Sequence, residues 1–221
     1  MTGEYSLITL TDPLSPASEA YRTLRMNLEF ASLDGELRSI LITSPGSAEG
    51  KSTTLANLAV TLAQIERRVI AVDCDLRRPC LHRFFDLSNE TGLTTMMLSG
   101  EALTTPPLQD TQVDGLRLLP SGALPPRPAD LLESKRMERI IAKLLEDADV
   151  LLFDAPPVLA AADAAVLAAK LDGVLLVVSA GRTKREHARL AIERLARVNA
   201  KVIGSVLNNV PLDAALNSYY G

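Results

Sequence analysis

The fold of this chain is decided by residues 43–53, which read TSPGSAEGKST. They follow a short apolar run at 38–43 and precede an amphipathic stretch at 51–65. A glycine-rich turn that joins a strand to a helix points its N–H groups and the helix N-terminus at one place, where an anion binds. We therefore predict a phosphate-binding loop, in which Lys51 reaches the outer phosphates of a nucleotide and Ser52 binds Mg²⁺.

The loop departs from the strict spacing of such motifs, because Pro45 stands where glycine is usual and Gly46 follows it. The alternative interpretation is a Gly/Ser turn that precedes a lysine by chance. The apolar run directly before the loop and the sequence GKST favour the phosphate-binding interpretation.

The composition is that of an ordinary globular protein and excludes several other classes. Hydrophobic residues make up 47% and charged residues 23% of the 221 residues, which excludes disordered, collagenous and disulfide-scaffold chains. The net charge of −4 provides no basic field for nucleic acid. The apolar runs are far shorter than the roughly 20 residues that span a bilayer, and residues 1–15 lack the features of a signal peptide. Cys74 and Cys80 are interpreted as reduced thiols of a cytoplasmic protein.

Short apolar runs alternate with amphipathic stretches along the chain, which predicts an α/β fold with a doubly wound, mostly parallel sheet. The predicted strands are 38–43, 69–73, 115–119, 150–154, 173–179 and 201–207. The predicted helices between them are 51–65, 135–147, 161–170 and 183–198. One more helix, capped by Ser15 and continued by 18–33, precedes the first strand. We predict a single domain over residues 1–221, with short helices and loop at 81–128.

Acidic residues end two of the predicted strands. Asp73 closes the strand 69–73, and Asp75 follows it in the sequence VIAVDCDLRRP. Asp154 closes the strand 150–154 in the sequence VLLFDAPP. Each acid alone could simply cap the turn that follows it. Because open α/β sheets bind ligands at the carboxyl ends of their strands, three acids beside a phosphate loop indicate a Mg²⁺ site.

The three motifs together resemble those of the bacterial tyrosine kinases of capsule and exopolysaccharide synthesis. SPGSAEGKST matches that family's Walker A motif, VDCDLRRP its Walker A′ motif with Asp-x-Asp-x-Arg, and LLFDAPP its Walker B motif. The likeness covers nearly the whole chain, including a Glu-x-x-Arg-x-x-Arg helix near the N-terminus and the segment LPSGALPPRPADLL at 119–132. It implies a P-loop fold related to MinD and ParA, and the activity of an ATP- and Mg²⁺-dependent, autophosphorylating protein-tyrosine kinase.

The resemblance also implies a role for each residue of these motifs. Lys51 and Asp73 are the expected catalytic residues, with Asp73 as the base that faces the incoming tyrosine hydroxyl. Ser52, Asp75 and Asp154 are the expected Mg²⁺ ligands. The expected contacts of the ATP phosphates are Ser44, Pro45, Gly46, Ser47, Ala48, Glu49, Gly50, Lys51, Ser52 and Thr53. A carboxylate base suits this transfer, because a phenol of pKa about 10 keeps its proton at neutral pH.

Two further regions are implied to join subunits and to accept phosphate. Glu19, Arg22 and Arg25 lie along one stripe of the helix in the region 1–36, which implies contacts between the subunits of a homo-oligomeric ring. From the residues alone, a solvated surface with a Glu–Arg pair is the simpler interpretation. The last two tyrosines of the chain lie in a tail at 213–221 that we predict to be flexible. These residues, Tyr219 and Tyr220, are the implied phosphoacceptors, modified in trans by a neighbouring subunit.

Two other functions stay open on the sequence. A MinD- or ParA-type ATPase switch shares the sheet and the acids, but usually has a second lysine early in the loop, where this chain has Ser44, Pro45 and Gly46. The third function is that of a regulatory module that binds nucleotide only to recruit a partner. The resemblance further implies a transmembrane polysaccharide co-polymerase as activator, which would recruit this cytoplasmic chain to the inner face of the plasma membrane.

Overall fold

A seven-stranded sheet organises the chain in this computed structural model, which describes residues 5–31 and 37–211. The strands are β1 Ser39–Thr43, β2 Val69–Asp73, β3 Gln109–Asp110, β4 Leu116–Leu119, β5 Val150–Asp154, β6 Gly173–Ser179 and β7 Val202–Asn208. Their order across the sheet is β3-β4-β2-β5-β1-β6-β7, and every neighbouring pair is parallel except β3 with β4. The predicted doubly wound fold is confirmed, whereas the short antiparallel edge strand β3 has no counterpart in the predicted set.

Helices cover both faces of this sheet. In chain order they are α1 Ile8–Thr11, α2 Pro16–Ala31, α3 Lys51–Ala63, α4 Leu81–Phe84, α5 Leu93–Leu98, α6 Gly100–Thr104, α7 Pro128–Glu133, α8 Lys135–Glu146, α9 Asp163–Ala168 and α10 Arg185–Ala196. The five helices predicted with bounds are present, and their ends differ from the predicted ones by at most two residues, as expected where helix ends fray. Among the described residues, no helix is long and apolar enough to cross a membrane.

The strands contribute to two separate apolar cores, because neighbouring residues of a strand face opposite sides of the sheet. Leu41 and Phe153 pack with buried residues of α8, α9 and α10 on one side. Ile42 and Leu152 pack with buried residues of α3 and with Leu28 of α2 on the other. Coverage of both faces explains why the strands read as continuous apolar runs rather than as an alternating pattern.

Helix α2 packs on α3, the helix that follows the phosphate loop. As predicted, Ser15 caps α2, since its hydroxyl oxygen accepts a hydrogen bond from the Ser18 N–H at 3.3 Å. Leu28 of α2 then joins the core that contains Leu58 of α3. The predicted tail at 213–221, with Tyr219 and Tyr220, lies outside the described residues.

Candidate functional site

The loop between β1 and α3 requires glycine at its end. Gly50 precedes α3 with a φ of +91°, in the left-handed region that other residues rarely adopt. A Cβ atom at this position would lie 1.9 Å from Nδ2 of Asn208, which donates a hydrogen bond to the Glu49 carbonyl at 3.2 Å. Glycine is therefore required at position 50 for two reasons, namely its left-handed backbone conformation and the close approach of Asn208 at the end of β7.

Side chains from outside the motif brace this loop. The buried Glu49 carboxylate accepts hydrogen bonds from the Gly46 N–H at 3.1 Å and from the Thr183 hydroxyl at 2.7 Å. Arg182 donates a hydrogen bond to the Ala48 carbonyl at 3.1 Å. Arg182 and Thr183 follow β6, which lies beside β1 in the sheet. The sequence gives no sign of the contacts of Arg182 and Thr183, because their partners Ala48 and Glu49 lie 134 residues away along the chain.

Lys51, in the first turn of α3, lies between two carboxylates. Its Nζ atom is 3.0 Å from Oδ2 of Asp75 and 3.1 Å from Oδ1 of Asp154, and only 11% of its side chain is exposed. Burial lowers the pKa of Lys51, but the charges of Asp154 and Asp75 outweigh this effect and raise it above its usual value. Lys51 is therefore a fixed positive charge between acids that belong to two neighbouring strands.

Ser52 joins this group. Its hydroxyl donates a hydrogen bond to Oδ2 of Asp154 and accepts one from Lys51 Nζ at 3.1 Å. The structure thus brings the predicted Mg²⁺ ligands Ser52, Asp75 and Asp154 together around Lys51. No cluster of three or more His, Cys, Asp or Glu side chains in residues 5–31 and 37–211 forms a metal site by itself. Mg²⁺ is commonly held by one or two carboxylates together with substrate phosphates and waters, so the oxygens present fit that shared kind of site.

Asp73 lies beneath this group. The pairing of β2 with β5 places it opposite Asp154, and neither side chain is exposed. Its carboxylate accepts hydrogen bonds from the backbone N–H groups of Asp75 at 3.2 Å and of Cys80 and Leu81, both at 2.9 Å. Burial, followed by the charge of Asp154, raises the pKa of Asp73 to about 7. Asp73 can therefore exchange a proton near neutral pH.

A cleft of about 520 Å³ opens above Lys51. The predicted site residues that line it are Ser47, Ala48, Gly50, Lys51, Ser52, Thr53 and Asp75. The predicted ATP, metal and catalytic residues that do not line it are Ser44, Pro45, Gly46, Glu49, Asp73 and Asp154. Seven further residues line the cleft and are not among the predicted site residues, namely Tyr5, Arg78, Cys80, Phe84, Pro157, Asn208 and Asn209. Because Asp73 does not reach the lining, its role as the base that faces a tyrosine hydroxyl stays a prediction.

An ion pair links the loop after β2 to the start of α9. Two guanidinium nitrogens of Arg77 donate hydrogen bonds to the two carboxylate oxygens of Asp163, at 2.9 and 3.1 Å. The Asp163 side chain is fully buried, whereas that of Arg77 is 50% exposed. The loops that follow Asp73 and Asp154 are therefore tied together, through a partner that no sequence pattern indicates.

The predicted interface residues lie on α2. Glu19 and Arg22 form an ion pair within the helix, and Arg22 also donates a hydrogen bond to a backbone carbonyl at 2.6 Å. The Nε atom of Arg25 is buried and has no hydrogen-bond partner among the described residues. On the same helix, Met26 is 48% exposed and Phe30 is 65% exposed. This helix therefore combines charged groups with apolar side chains that the described part of the chain leaves uncovered.

The fold and this site together define the class of protein. A phosphate loop after a central parallel strand, beside acids at the ends of neighbouring strands, is the arrangement of a P-loop nucleotide-binding protein. Comparison with known families agrees, because the CobQ/CobB/MinD/ParA nucleotide binding domain matches residues 40–219.

Similarity to individual proteins narrows this class. Tyrosine-protein kinase YwqD of Bacillus subtilis (strain 168) is 42% identical over 98% of this chain and 91% of its own length. Putative tyrosine-protein kinase CapB of Staphylococcus aureus is 35% identical over 94% of this chain and 91% of its own length. The kinase domain of Escherichia coli tyrosine kinase ETK superposes with a TM-score of 0.89 at 31% identity, over 97% of this chain and 84% of that one. The chain belongs to the family of bacterial tyrosine-protein kinases.

The relatives of this chain differ in length and in how similar they are to it. Tyrosine-protein kinase etk of Escherichia coli (strain K12) is 32% identical over 95% of this chain, which covers only 29% of that relative. The cell division ATPase MinD of Pyrococcus furiosus superposes with a TM-score of 0.65 at 26% identity. MinD therefore shares the fold, but its structure is less similar to this chain than that of the ETK kinase domain.

Proposed function

We propose that this chain is an ATP-dependent autokinase that transfers the γ-phosphate of ATP to the C-terminal tyrosines of a neighbouring copy, Tyr219 and Tyr220, and so regulates capsule or exopolysaccharide synthesis and export. The observation that carries this proposal is the position of Lys51, at the base of an open cleft and within 3.0 and 3.1 Å of two carboxylates. Phosphoryl transfer depends mainly on positioning and on neutralisation of charge, which this arrangement provides. The names of the relatives support tyrosine as the acceptor.

The residues present fit ATP with Mg²⁺. The loop directs the N-terminus of the 13-residue helix α3 at the cleft, where phosphates would bind. Lys51 would neutralise charge on the outer phosphates, while Ser52, Asp75 and Asp154 would hold Mg²⁺ directly or through its waters. When bound, ATP supplies the phosphoryl group and Mg²⁺ neutralises the charge that develops on it.

We further propose that Asp73 takes the proton of the tyrosine hydroxyl as the phosphoryl group is transferred. A general base works best when its pKa lies near the operating pH, and that of Asp73 is about 7. Three backbone N–H groups hold its carboxylate in one orientation. Hydrogen bonds to catalytic groups often form only with bound substrate, so we expect the contact between Asp73 and the tyrosine hydroxyl in the substrate complex.

The transfer is proposed to occur in trans within a homo-oligomeric ring. The charged residues Glu19, Arg22 and Arg25 and the exposed Met26 and Phe30 support α2 as the surface that joins subunits. In such a ring, the tail of one subunit lies near the active site of the next, which raises its effective concentration there.

We also propose that a transmembrane polysaccharide co-polymerase activates the chain and recruits it, in the cytoplasm, to the inner face of the plasma membrane. The kinase region is nearly the whole of YwqD but only 29% of etk. A second component that is either separate or fused is consistent with these two lengths. The net charge of −4 supports a partner other than nucleic acid.

Intact-mass spectrometry after incubation with ATP and Mg²⁺ tests the proposed activity. We expect the mass of one or two phosphate groups to be added to the wild-type chain. This addition should fall sharply when both Tyr219→Phe and Tyr220→Phe are present. Lys51→Met removes the charge at similar size and should abolish the addition, with circular dichroism as the check that the variant folds.

Two other results would overturn the kinase proposal. Consumption of ATP by the wild-type chain without any gain in mass would identify a MinD-type ATPase. Binding of nucleotide without consumption or modification would identify a regulatory module.

A further inference from the structure

The phosphate loop contains a carboxylate of its own. Glu49 stands directly before Gly50, in a loop that is proposed to bind the negatively charged phosphates of ATP. Its two neighbours in the chain, Ala48 and Gly50, line the cleft, whereas Glu49 does not. Only 5% of Glu49 is exposed. The loop therefore buries a negative charge behind the surface at which phosphates would bind.

Two donors hold the carboxylate of Glu49 in this place. Its Oε2 atom accepts a hydrogen bond from the Gly46 N–H at 3.1 Å, and its Oε1 atom accepts one from the Thr183 hydroxyl at 2.7 Å. The Thr183 oxygen in turn accepts a hydrogen bond at 2.8 Å from the backbone N–H of Ser179, the last residue of β6. The Thr183 hydroxyl is therefore fixed by the sheet and donates its proton to Glu49.

This arrangement accounts for the irregular spacing of the loop. Pro45 stands where glycine is usual, and Gly46 follows it. A Cβ atom at position 46 would lie 3.2 Å from Oε1 of Glu49, a contact so close that the carboxylate would have to move. Glycine at position 46 therefore leaves room for the carboxylate that Thr183 holds.

We propose that Thr183 is a positioning residue for nucleotide binding, whose hydroxyl holds the charge of Glu49 outside the phosphate site. This inference rests on the binding of ATP proposed above. Like charges repel strongly where water is scarce, so a carboxylate that entered the site would oppose the phosphates. Without the hydroxyl, the donor that remains to Glu49 is the Gly46 N–H, which belongs to the loop itself.

The backbone of the loop is held by other contacts. Arg182 donates a hydrogen bond to the Ala48 carbonyl at 3.1 Å, and Asn208 donates one to the Glu49 carbonyl at 3.2 Å. Neither contact involves the Thr183 hydroxyl or the Glu49 carboxylate. Removal of the hydroxyl should therefore release the Glu49 side chain while the path of the loop is kept.

Titration with a fluorescent ATP analogue in the presence of Mg²⁺ tests this role. Thr183→Val removes the hydroxyl at similar size and should weaken binding about 5- to 50-fold, as for the loss of one hydrogen bond to a buried charged group. Thr183→Ser keeps the hydroxyl and should bind as the wild type does. Thr104→Val, at an exposed position of α6, is the matched control and should not change the affinity.

A double variant tests whether the charge of Glu49 causes the loss. Glu49→Gln added to Thr183→Val removes that charge and should recover most of the lost affinity. A role of Thr183 in folding alone predicts no recovery, because glutamine at position 49 cannot replace the contact of Thr183 with Ser179. Thermal unfolding followed by circular dichroism shows how much of each variant is folded during the titration.

The outcomes separate this inference from the proposed function. Equal affinities of the wild type and of Thr183→Val would overturn the inference and leave the kinase proposal standing. Equal losses in Thr183→Val and in the double variant would overturn the repulsion by Glu49. Failure of the wild type to bind the analogue would overturn the proposed ATP site and this inference with it.

Discussion

Two acids that are two residues apart in the sequence have very different surroundings. Asp73 is fully buried at the end of β2 and accepts its hydrogen bonds from the backbone. Asp75 lines the cleft and pairs with Lys51 at 3.0 Å. Because β2 ends at Asp73, the chain turns before Asp75, and the two carboxylates meet different partners. We infer that Asp73 accepts the proton of the tyrosine hydroxyl and that Asp75 binds Mg²⁺.

Substitution of each acid by its amide tests this division. Asp73→Asn should lower the rate of phosphorylation by about 10²–10⁴-fold, the usual contribution of a general base, without a loss of nucleotide affinity. Asp75→Asn should instead weaken binding of the nucleotide in the presence of Mg²⁺. Initial rates and titration with a fluorescent ATP analogue measure the two effects.

The pH dependence of the phosphorylation rate provides a control for the variants Asp73→Asn and Asp75→Asn. A base must be deprotonated to act, so the rate of the wild type should rise as the pH passes through about 7, the pKa of Asp73. Asp75→Asn should keep this rise. Equal losses of nucleotide affinity in both variants would contradict the division of roles.

At the scale of elements, the site depends on the adjacency of β2 and β5. Their register places Asp73 opposite Asp154, so the loops that follow both strands begin at the same edge of the sheet. Arg77, in the first loop, then binds Asp163 at the start of α9, beyond the second loop. Two loops that are far apart in the sequence are thereby held together around Lys51.

Removal of the arginine should loosen this connection. Arg77→Gln would leave the buried Asp163 without its charged partner, and an unsatisfied buried group destabilises a protein by about 1–3 kcal/mol. We expect a decrease of that size in the free energy of unfolding, measured by urea denaturation. Arg68→Gln is the matched control, because Arg68 pairs with Asp149 but is 60% exposed, and exposed pairs contribute little. Equal effects of the two substitutions would contradict a special role for Arg77.

At the scale of the whole molecule, α2 connects the active site to the outer surface. One side of this helix packs on α3, which begins at Lys51, through the core that contains Leu28. Other positions of α2 carry the Glu19–Arg22 pair and the exposed Phe30. A contact between subunits through α2 would therefore rest directly on the helix of the phosphate loop.

Loss of two arginines should weaken the proposed ring. Arg22→Ala together with Arg25→Ala should lower the molar mass measured by light scattering in the unphosphorylated state, because both guanidinium groups are removed from the interface. The pair Arg185→Ala and Arg189→Ala on α10 removes the same charge elsewhere and should leave the mass unchanged. An unchanged mass in the α2 variant would support the interpretation of a solvated surface.

The features that the sequence determined by itself are those that depend only on residues close together in the chain. Continuous apolar runs specify strands that are covered on both faces, and three of the six predicted strands, including those that end in Asp73 and Asp154, have the predicted bounds. The phosphate loop is likewise readable, since GKST must follow a strand and begin a helix to bind phosphate. The spacing of apolar residues and the local conformation of the backbone decide these features, and a short stretch of sequence contains both.

Only the tertiary structure decided which distant residues complete the site. The contacts of Thr183 with Glu49 and of Asp163 with Arg77 depend on the order of the strands in the sheet. The position of Tyr5 in the cleft depends on the path of residues 5–11 over α3. The pKa of Asp73 is likewise a consequence of burial opposite Asp154, which no local pattern expresses. The physical reason is that long-range contacts and desolvation arise only when the whole chain packs, because they depend on the combined free energy of many weak interactions.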